Sequence, residues 1–296
     1  MQWPQPIMLG VALVIASAPT PAQGSDARWG SSPPTAEQAP GAPPPVPNII
    51  LNATSAAAFD PVATIGAFEA ISYRRDGTIT DSGDFGEWEH LNRIRFTPGL
   101  NCSGHVLATT RVLTDLPLTI EAARWDRNGD SHPGAERGQD WDFGWDVVVN
   151  AAIAAADDMG EQPIYFDKTG RAHELGGEPG PVDAVALRGF SVWDKNAWAQ
   201  ALGAMETDHF YLGSLSRVSR RGRMLHHHTV IFVVDGEDVW VQGASPNNPL
   251  GPRVESLMAT DPDELAALLA QFKNYRSEHI FIIGAPLALE RMTGSP

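Results

Sequence analysis

Cysteine is nearly absent: Cys102 is the single one in 296 residues, so no disulfide can form within the chain. Lysine is confined to Lys168, Lys195 and Lys273, and 21 Lys+Arg against 36 Asp+Glu leave a formal net charge of −15. Nucleic acids and anionic membrane surfaces attract basic patches, so neither is expected as a partner. The amino-terminal apolar run from Ile7 to Ala18 is shorter than the roughly 20 residues of a membrane span. What the chain does have is 43% hydrophobic content and 9 tryptophans, enough for a sizeable core in one large domain or two small ones.

The first 22 residues read as a secretory signal: a short apolar stretch followed by small residues, with cleavage expected after Ala22. The prolines Pro4, Pro6, Pro19 and Pro21 disfavour a packed helix there. No cysteine follows the segment to carry a lipid, so the protein is expected to be secreted or to sit in the periplasm or cell envelope without a stable membrane anchor. Residues 23–47 contain "SSPPTAEQAPGAPPPVP", a semi-rigid extended spacer, and the folded domain is expected over 48–296.

Within that domain helical and strand patterns mix. Helices are predicted over Cys102 to Asp115, in "WDVVVNAAIAAADDMG", in "DKNAWAQALGAME" and in "DPDELAALLAQFKNY". Strands are predicted at "PIYFD", "DAVALRGF", "HTVIFVVDG", "DVWVQ" and "HIFIIG". The Asp-Gly of "VVDGED" marks a hairpin, because tight hairpin turns need positive φ. The fold class is therefore α+β, with an antiparallel sheet drawn mainly from the second half.

The lone thiol falls at the start of the first helix, with Asn101 as cap and Val106, Thr109 and Leu113 continuing an inner stripe. A helix amino terminus stabilises a thiolate, and its free N–H groups can hold an oxyanion. Ser103 and Gly104 keep the next turn small, leaving room for a substrate carbonyl or a facing strand. A nucleophilic thiol needs a base, and the base an orienting group. His226, His227 and His228 open the strongest strand, and Gln242 ends the other arm of its hairpin. Alternation directs His227 away from His226 and His228, and His228 is expected to face the Cys102 helix together with Val230 and Phe232.

The segment "NCSGHV" resembles the "DCSGLV" element of NlpC-type cell-wall cysteine peptidases, and "HHTVIFVVDGEDVWVQGAS" is similar to their "HVGIYIGNGKFIHAS" element, in the same order. The resemblance implies a papain-like core with a nucleophile helix on an antiparallel sheet, Cys102 as nucleophile, His228 as base and acid, and Gln242 in the third, polar position. It implies a hydrolase of amide or peptide bonds in peptidoglycan stem peptides, with no cofactor and no metal. Residues of about 117–224 then form a long insertion between the catalytic halves. A transglutaminase-like or amidase enzyme on the same core, and a non-catalytic secreted binding protein that retains the fold, are the alternatives.

Other features have plainer readings. Asp126, Asn128 and Asp130 have calcium-loop spacing, but Gly129 precedes the third ligand and Arg137 takes the place of the acidic bidentate one, so a polar turn is expected. Trp141, Trp145, Trp193 and Trp198 read as core more than as a sugar-stacking surface. His105, one turn after Cys102, is an alternative base, but i and i+3 side chains on one helix point along the same face without meeting well for proton transfer, so it reads as a partly buried or rim histidine. A zinc site of Cys102 with His226 and His228 is the rival chemistry.

Overall fold

The structure is a computed structural model describing residues 59–69, 71–127, 143–176, 189–218, 224–236, 238–245, 253–259 and 278–288, with backbone alone over 253–259. The expected leader, the linker and the domain start near Asn48 lie outside the described residues. So do the helix expected over 261–275, most of the strand expected over 183–190, Trp141, and the residues 128–137 of the polar turn.

Helices form where caps and periodicity favour them. Helix α1 (Pro61–Gly66) begins with Asp60 accepting from the Ala63 N–H and with proline in its first turn, where a missing N–H costs nothing. Helix α2 (Cys102–Thr114) is capped by Asn101 and ends at Asp115, which takes a left-handed conformation at φ 53°. The short α3 (Ile120–Ala123) is capped by Thr119. Helix α4 (Phe143–Met159) carries the alanine-rich stretch, and α5 (Lys195–Gly203) is capped by Asp194.

Strands β1 (Gly77–Ile79) and β2 (Phe85–Glu87) form a separate ribbon. The main sheet contains β3 (Ile164–Phe166), β4 (Ala172–Glu174), β5 (Phe190–Ser191), β6 (His209–Val218), β7 (Met224–Asp235), β8 (Asp238–Ser245), β9 (Arg253–Ala259) and β10 (Glu278–Pro286). Its order is β4-β3-β10-β6-β7-β8-β9, with β5 also paired to β10, and each pairing is antiparallel. The α+β class with an antiparallel sheet therefore holds. The hairpin turn follows Asp235, which still pairs with Asp238, and Gly236 takes the positive φ of 62°.

The segment 117–224, which reads as an insertion, builds the centre of the molecule. It supplies α4 and the middle strand β6, which pairs with β10 on one side and β7 on the other. Two layers of side chains cover the sheet. On one face Leu212, Ile231, Val233, Phe281 and Ile283 pack with Val106, Leu107 and Leu113 of α2 and the buried stripe of α4. On the other, Tyr211, Leu215, Val230, Phe232, Val241, Ile280 and Ile282 pack with Trp198 of α5. Trp145 and Trp198 are buried core residues, as expected, whereas Trp193 is exposed.

Candidate functional site

Cys102 opens α2 and is partly exposed. The Asn101 cap receives the Gly104 N–H at 2.7 Å and the Trp88 indole N–H at 3.1 Å, and its own amide donates to the Arg75 carbonyl at 3.1 Å. These bonds fix the helix start against the strand ribbon. A Cβ at Gly104 would overlap the Gly77 carbonyl, so the small turn after the thiol serves the close approach of β1 and not a substrate. The N–H groups of Cys102 and Ser103 precede the first intrahelical bond, leaving a donor-rich end at the thiol.

The segment before β1 supplies a neighbour that sequence reasoning passed over. Tyr73 bridges in parallel to Leu100, with Leu100 N–H on Ser72 O at 3.0 Å and Arg74 N–H on Leu100 O at 2.9 Å. Burial chiefly, and then the charge of Cys102, push the Tyr73 phenol up to about 12, with Arg75 acting in the opposite sense. The phenol is thus a neutral hydrogen-bond donor near the thiol at any pH of interest. Nothing in "ISYRR" marks it as such in sequence.

Gln242 lies on the face expected of it. It pairs with Ile231, whose side chain packs with α2 and α4, and is fully buried. Its partner, however, is His105 of α2, at 2.6 Å from His105 Nε2 to Gln242 Oε1. The amide nitrogen of Gln242 donates to the Ile65 carbonyl at 2.7 Å, so the oxygen must face the imidazole. His105 Nε2 therefore carries the proton, and Nδ1 keeps its lone pair. That Nδ1 is buried and makes no hydrogen bond among the described residues. His105 is not a rim histidine: it is fully buried, edge-on to Phe68. Burial lowers its pKa to about 4 despite the supporting Gln242 bond.

His228 does not face the Cys102 helix. The register passes from Leu215↔His228 to Ser216↔His226, leaving His227 as the extra residue of a β-bulge. His228 shares a face with Val230: a Cβ at Gly243 would lie 3.2 Å from His228 Nε2 and 3.2 Å from Val230 Cγ1. Val230 and Phe232 belong to the α5 layer, so the expectation that they look toward α2 is corrected along with that for His228. The bulge also breaks simple alternation. His226 sits on the α4 face, its Nδ1 3.0 Å from Ser214 Oγ, and a Cβ at Gly144 would overlap its ring. A common zinc site of Cys102, His226 and His228 is thereby removed, because the two imidazoles lie on opposite sides of the sheet.

Comparison with protein-family models, with curated proteins and with solved structures finds no match. The reading of the site accordingly rests on its residues. Among the described residues a different cluster, Glu206, Asp208 and His209, brings ligand-type atoms together; His209 Nδ1 lies 2.7 Å from Asp208 Oδ1, and the two carboxylates are exposed.

Proposed function

We propose that this chain is a secreted thiol hydrolase of amide or peptide bonds, with Cys102 as nucleophile and His105, oriented by Gln242, in place of His228 as the base. The observation that carries the reading is the bond of 2.6 Å between His105 and Gln242, three residues along the helix from the thiol. Positions i and i+3 share a helix face. The Gln242 bond fixes the imidazole tautomer that can accept a proton on Nδ1, the task of an orienting group in a thiol triad. The NlpC-like motifs make peptidoglycan stem peptides the substrate class.

In the proposed reaction the Cys102 side chain, which makes no hydrogen bond to His105 Nδ1 in the structure, turns toward it on substrate binding, and its proton passes to Nδ1 as the sulfur bonds to the substrate carbonyl. Collapse of the adduct breaks the carbon–nitrogen bond, and the proton leaves with the amine. Water then attacks the thioester, gives its proton to His105 and releases the acid, and the proton returns to sulfur. A base lowered to about 4 is a weak one, so slow turnover is expected. Fragments of peptidoglycan incubated with the full chain should yield new amino termini, lost after alkylation of Cys102 and retained in EDTA. Unchanged hydrolysis after alkylation would overturn the thiol route.

A second reading has an observation of its own. His105 Nδ1 makes no hydrogen bond among the described residues, as in a protein that keeps the layered fold to bind and not to cleave. Binding of the same fragments, undiminished by alkylation and without new amino termini, would favour it.

A further inference from the structure

The charged side chains between Ser72 and Asn101 are nearly all committed. Arg93 and Arg95 pair with Glu87, and Asp81 pairs with Arg111 of α2 at 2.6 Å. Arg74 donates to the Thr97 hydroxyl at 2.6 Å and to its carbonyl at 3.4 Å. Asp84 accepts from the Ser82 hydroxyl at 2.9 Å, and Asp76 from the Glu89 N–H at 3.5 Å. Arg75 is the exception: it is exposed, and among the described residues its guanidinium makes neither a hydrogen bond nor an ion pair.

This free cation is held at the thiol. The Arg75 carbonyl accepts from the amide of Asn101, the residue before Cys102, at 3.1 Å. The Gly77 N–H on the Arg74 carbonyl at 2.9 Å closes a turn with Arg75 at its first central position. The main chain that carries the guanidinium is therefore bonded to the start of α2. Tyr73 lies between the two groups: beyond burial, the charges that act on its phenol are those of Cys102 and Arg75, in opposite senses. Arg74 is not among them, because its guanidinium turns to Thr97. In a chain of net charge −15 the overall field repels anions, so a cation at this corner acts locally, within about a Debye length of 8–10 Å.

We propose that Arg75 is a specificity determinant of the Cys102 site and selects substrates that carry a carboxylate beside the scissile carbonyl. The inference rests on the thiol-hydrolase reading and narrows its substrate class to acidic amides and peptides. A guanidinium is charged at every working pH, and its planar fork matches a carboxylate with two parallel N–H bonds. A carboxamide of the same shape offers one acceptor oxygen and no charge, so it is the disfavoured partner. Arg75 touches no reacting atom in this scheme. It places the acyl side of the substrate, while Cys102 and His105 carry the chemistry.

The test uses the full chain and a pair of alkylating probes, iodoacetate and iodoacetamide. Both form the same sulfur–carbon bond at Cys102 with loss of iodide, and they differ in a carboxylate against a carboxamide. Because both meet the same thiolate, the ratio of their rates cancels the reactivity of the thiol itself. At low salt the iodoacetate-to-iodoacetamide ratio should exceed that of mercaptoethanol about fivefold, the size of one charge contact in water, and should fall as salt is raised. Arg75→Gln should bring it down to the mercaptoethanol value or below, whereas Arg75→Lys and Arg74→Gln should retain it. A ratio no higher than that of mercaptoethanol, or one unmoved by Arg75→Gln, would overturn the assignment. The second readout is hydrolysis of two peptides with glutamate or glutamine supplying the scissile carbonyl: kcat/KM should favour glutamate by about tenfold, and the preference should disappear in Arg75→Gln. Equal hydrolysis of both peptides would overturn the role of Arg75 and leave the hydrolase standing. Charge-selective alkylation without hydrolysis of either would overturn the hydrolase and support Arg75 as the anion contact of the site.

Discussion

The two faces of the central sheet use their histidines in opposite ways. On the α5 face His228 is 5% exposed and lies over Gly243 beside Val230, one more ring in an aromatic layer that includes Phe190 and Trp198 in an edge contact at 4.9 Å. On the α2 and α4 face His105 is bonded to Gln242, and His226 to Ser214. One residue of bulge, at His227, separates the two outcomes: the same run of imidazoles puts His228 on the α5 face and His226 on the α4 face. Chemistry is therefore expected to respond to changes on the helix-pair face and stability to changes on either.

The sharpest way to break that comparison is to compare turnover across single substitutions. Cys102→Ala and His105→Gln should each lower hydrolysis by roughly three orders of magnitude, as loss of a nucleophile or its base does; the glutamine keeps a buried amide within reach of Gln242. His228→Ala should leave turnover within about twofold but lower stability by about 1–3 kcal/mol through lost packing. A collapse of activity in His228→Ala with His105→Gln silent would reverse the assignment of faces. Steady-state rates alongside urea melts provide both readouts.

How far this arrangement is legible in the sequence depends on the element. Helices α2, α4 and α5 and strands β3, β7, β8 and β10 follow from caps and apolar periodicity, and Cys102 at a helix start follows from Asn101. The middle strand β6 escapes the pattern, because Gly213, Ser214 and Ser216 interrupt its apolar positions at the polar end of the sheet. The bulge is invisible, since three identical residues carry no marker of where the strand register shifts. Gln242 is found on the expected face, but its partner is not: a histidine one turn after the thiol reads as a rim residue until the sheet is known to lie directly beneath it.

The burial of His105 gives a pH dependence to the same face. Its folded pKa of about 4 lies below the ordinary 6.5, so the unfolded chain binds the proton more readily. Stability is full above pH 6.5 and is lost as pH falls toward the folded value, by roughly 3 kcal/mol over that window from this group. In His105→Gln that contribution should vanish, so its melting temperature should fall less steeply between pH 6.5 and 4 than that of the natural chain. Parallel curves would mean that the imidazole is not held neutral in the core. His228→Ala, from the other face, provides the reference.

Two glycines on α2 and α4 separate rigid from yielding contacts. A Cβ at Gly104 meets backbone, the Gly77 carbonyl and Thr78 Cα, whereas one at Gly144 meets the His226 ring. Backbone cannot step aside, so Gly104→Ala should cost about 3 kcal/mol, at the upper end for overpacking, and Gly144→Ala about 1 kcal/mol as the ring rotates away. The milder variant should nevertheless perturb the His226 ring resonances strongly. Equal stability losses would show the strand ribbon to be as yielding as a side chain.

The smallest effects compare the two helix caps. Asp194 at the start of α5 receives the N–H groups of Asn196 and Ala197, both at 3.1 Å, and Asn101 receives that of Gly104 at 2.7 Å. Replacing either by alanine should cost about 1 kcal/mol, the usual worth of a cap, so stability alone does not tell the faces apart. Reactivity does. Loss of Asn101 also removes its bonds to Trp88 and to the Arg75 carbonyl, which set Cys102 against the segment before β1 that carries Tyr73. The rate of Cys102 alkylation by iodoacetamide should therefore change severalfold in Asn101→Ala, in proportion to the single cap energy released at that end, and stay constant in Asp194→Ala. The same rate in both variants would mean that the helix start does not govern the thiol, and the proposed chemistry of the helix-pair face would lose its local support.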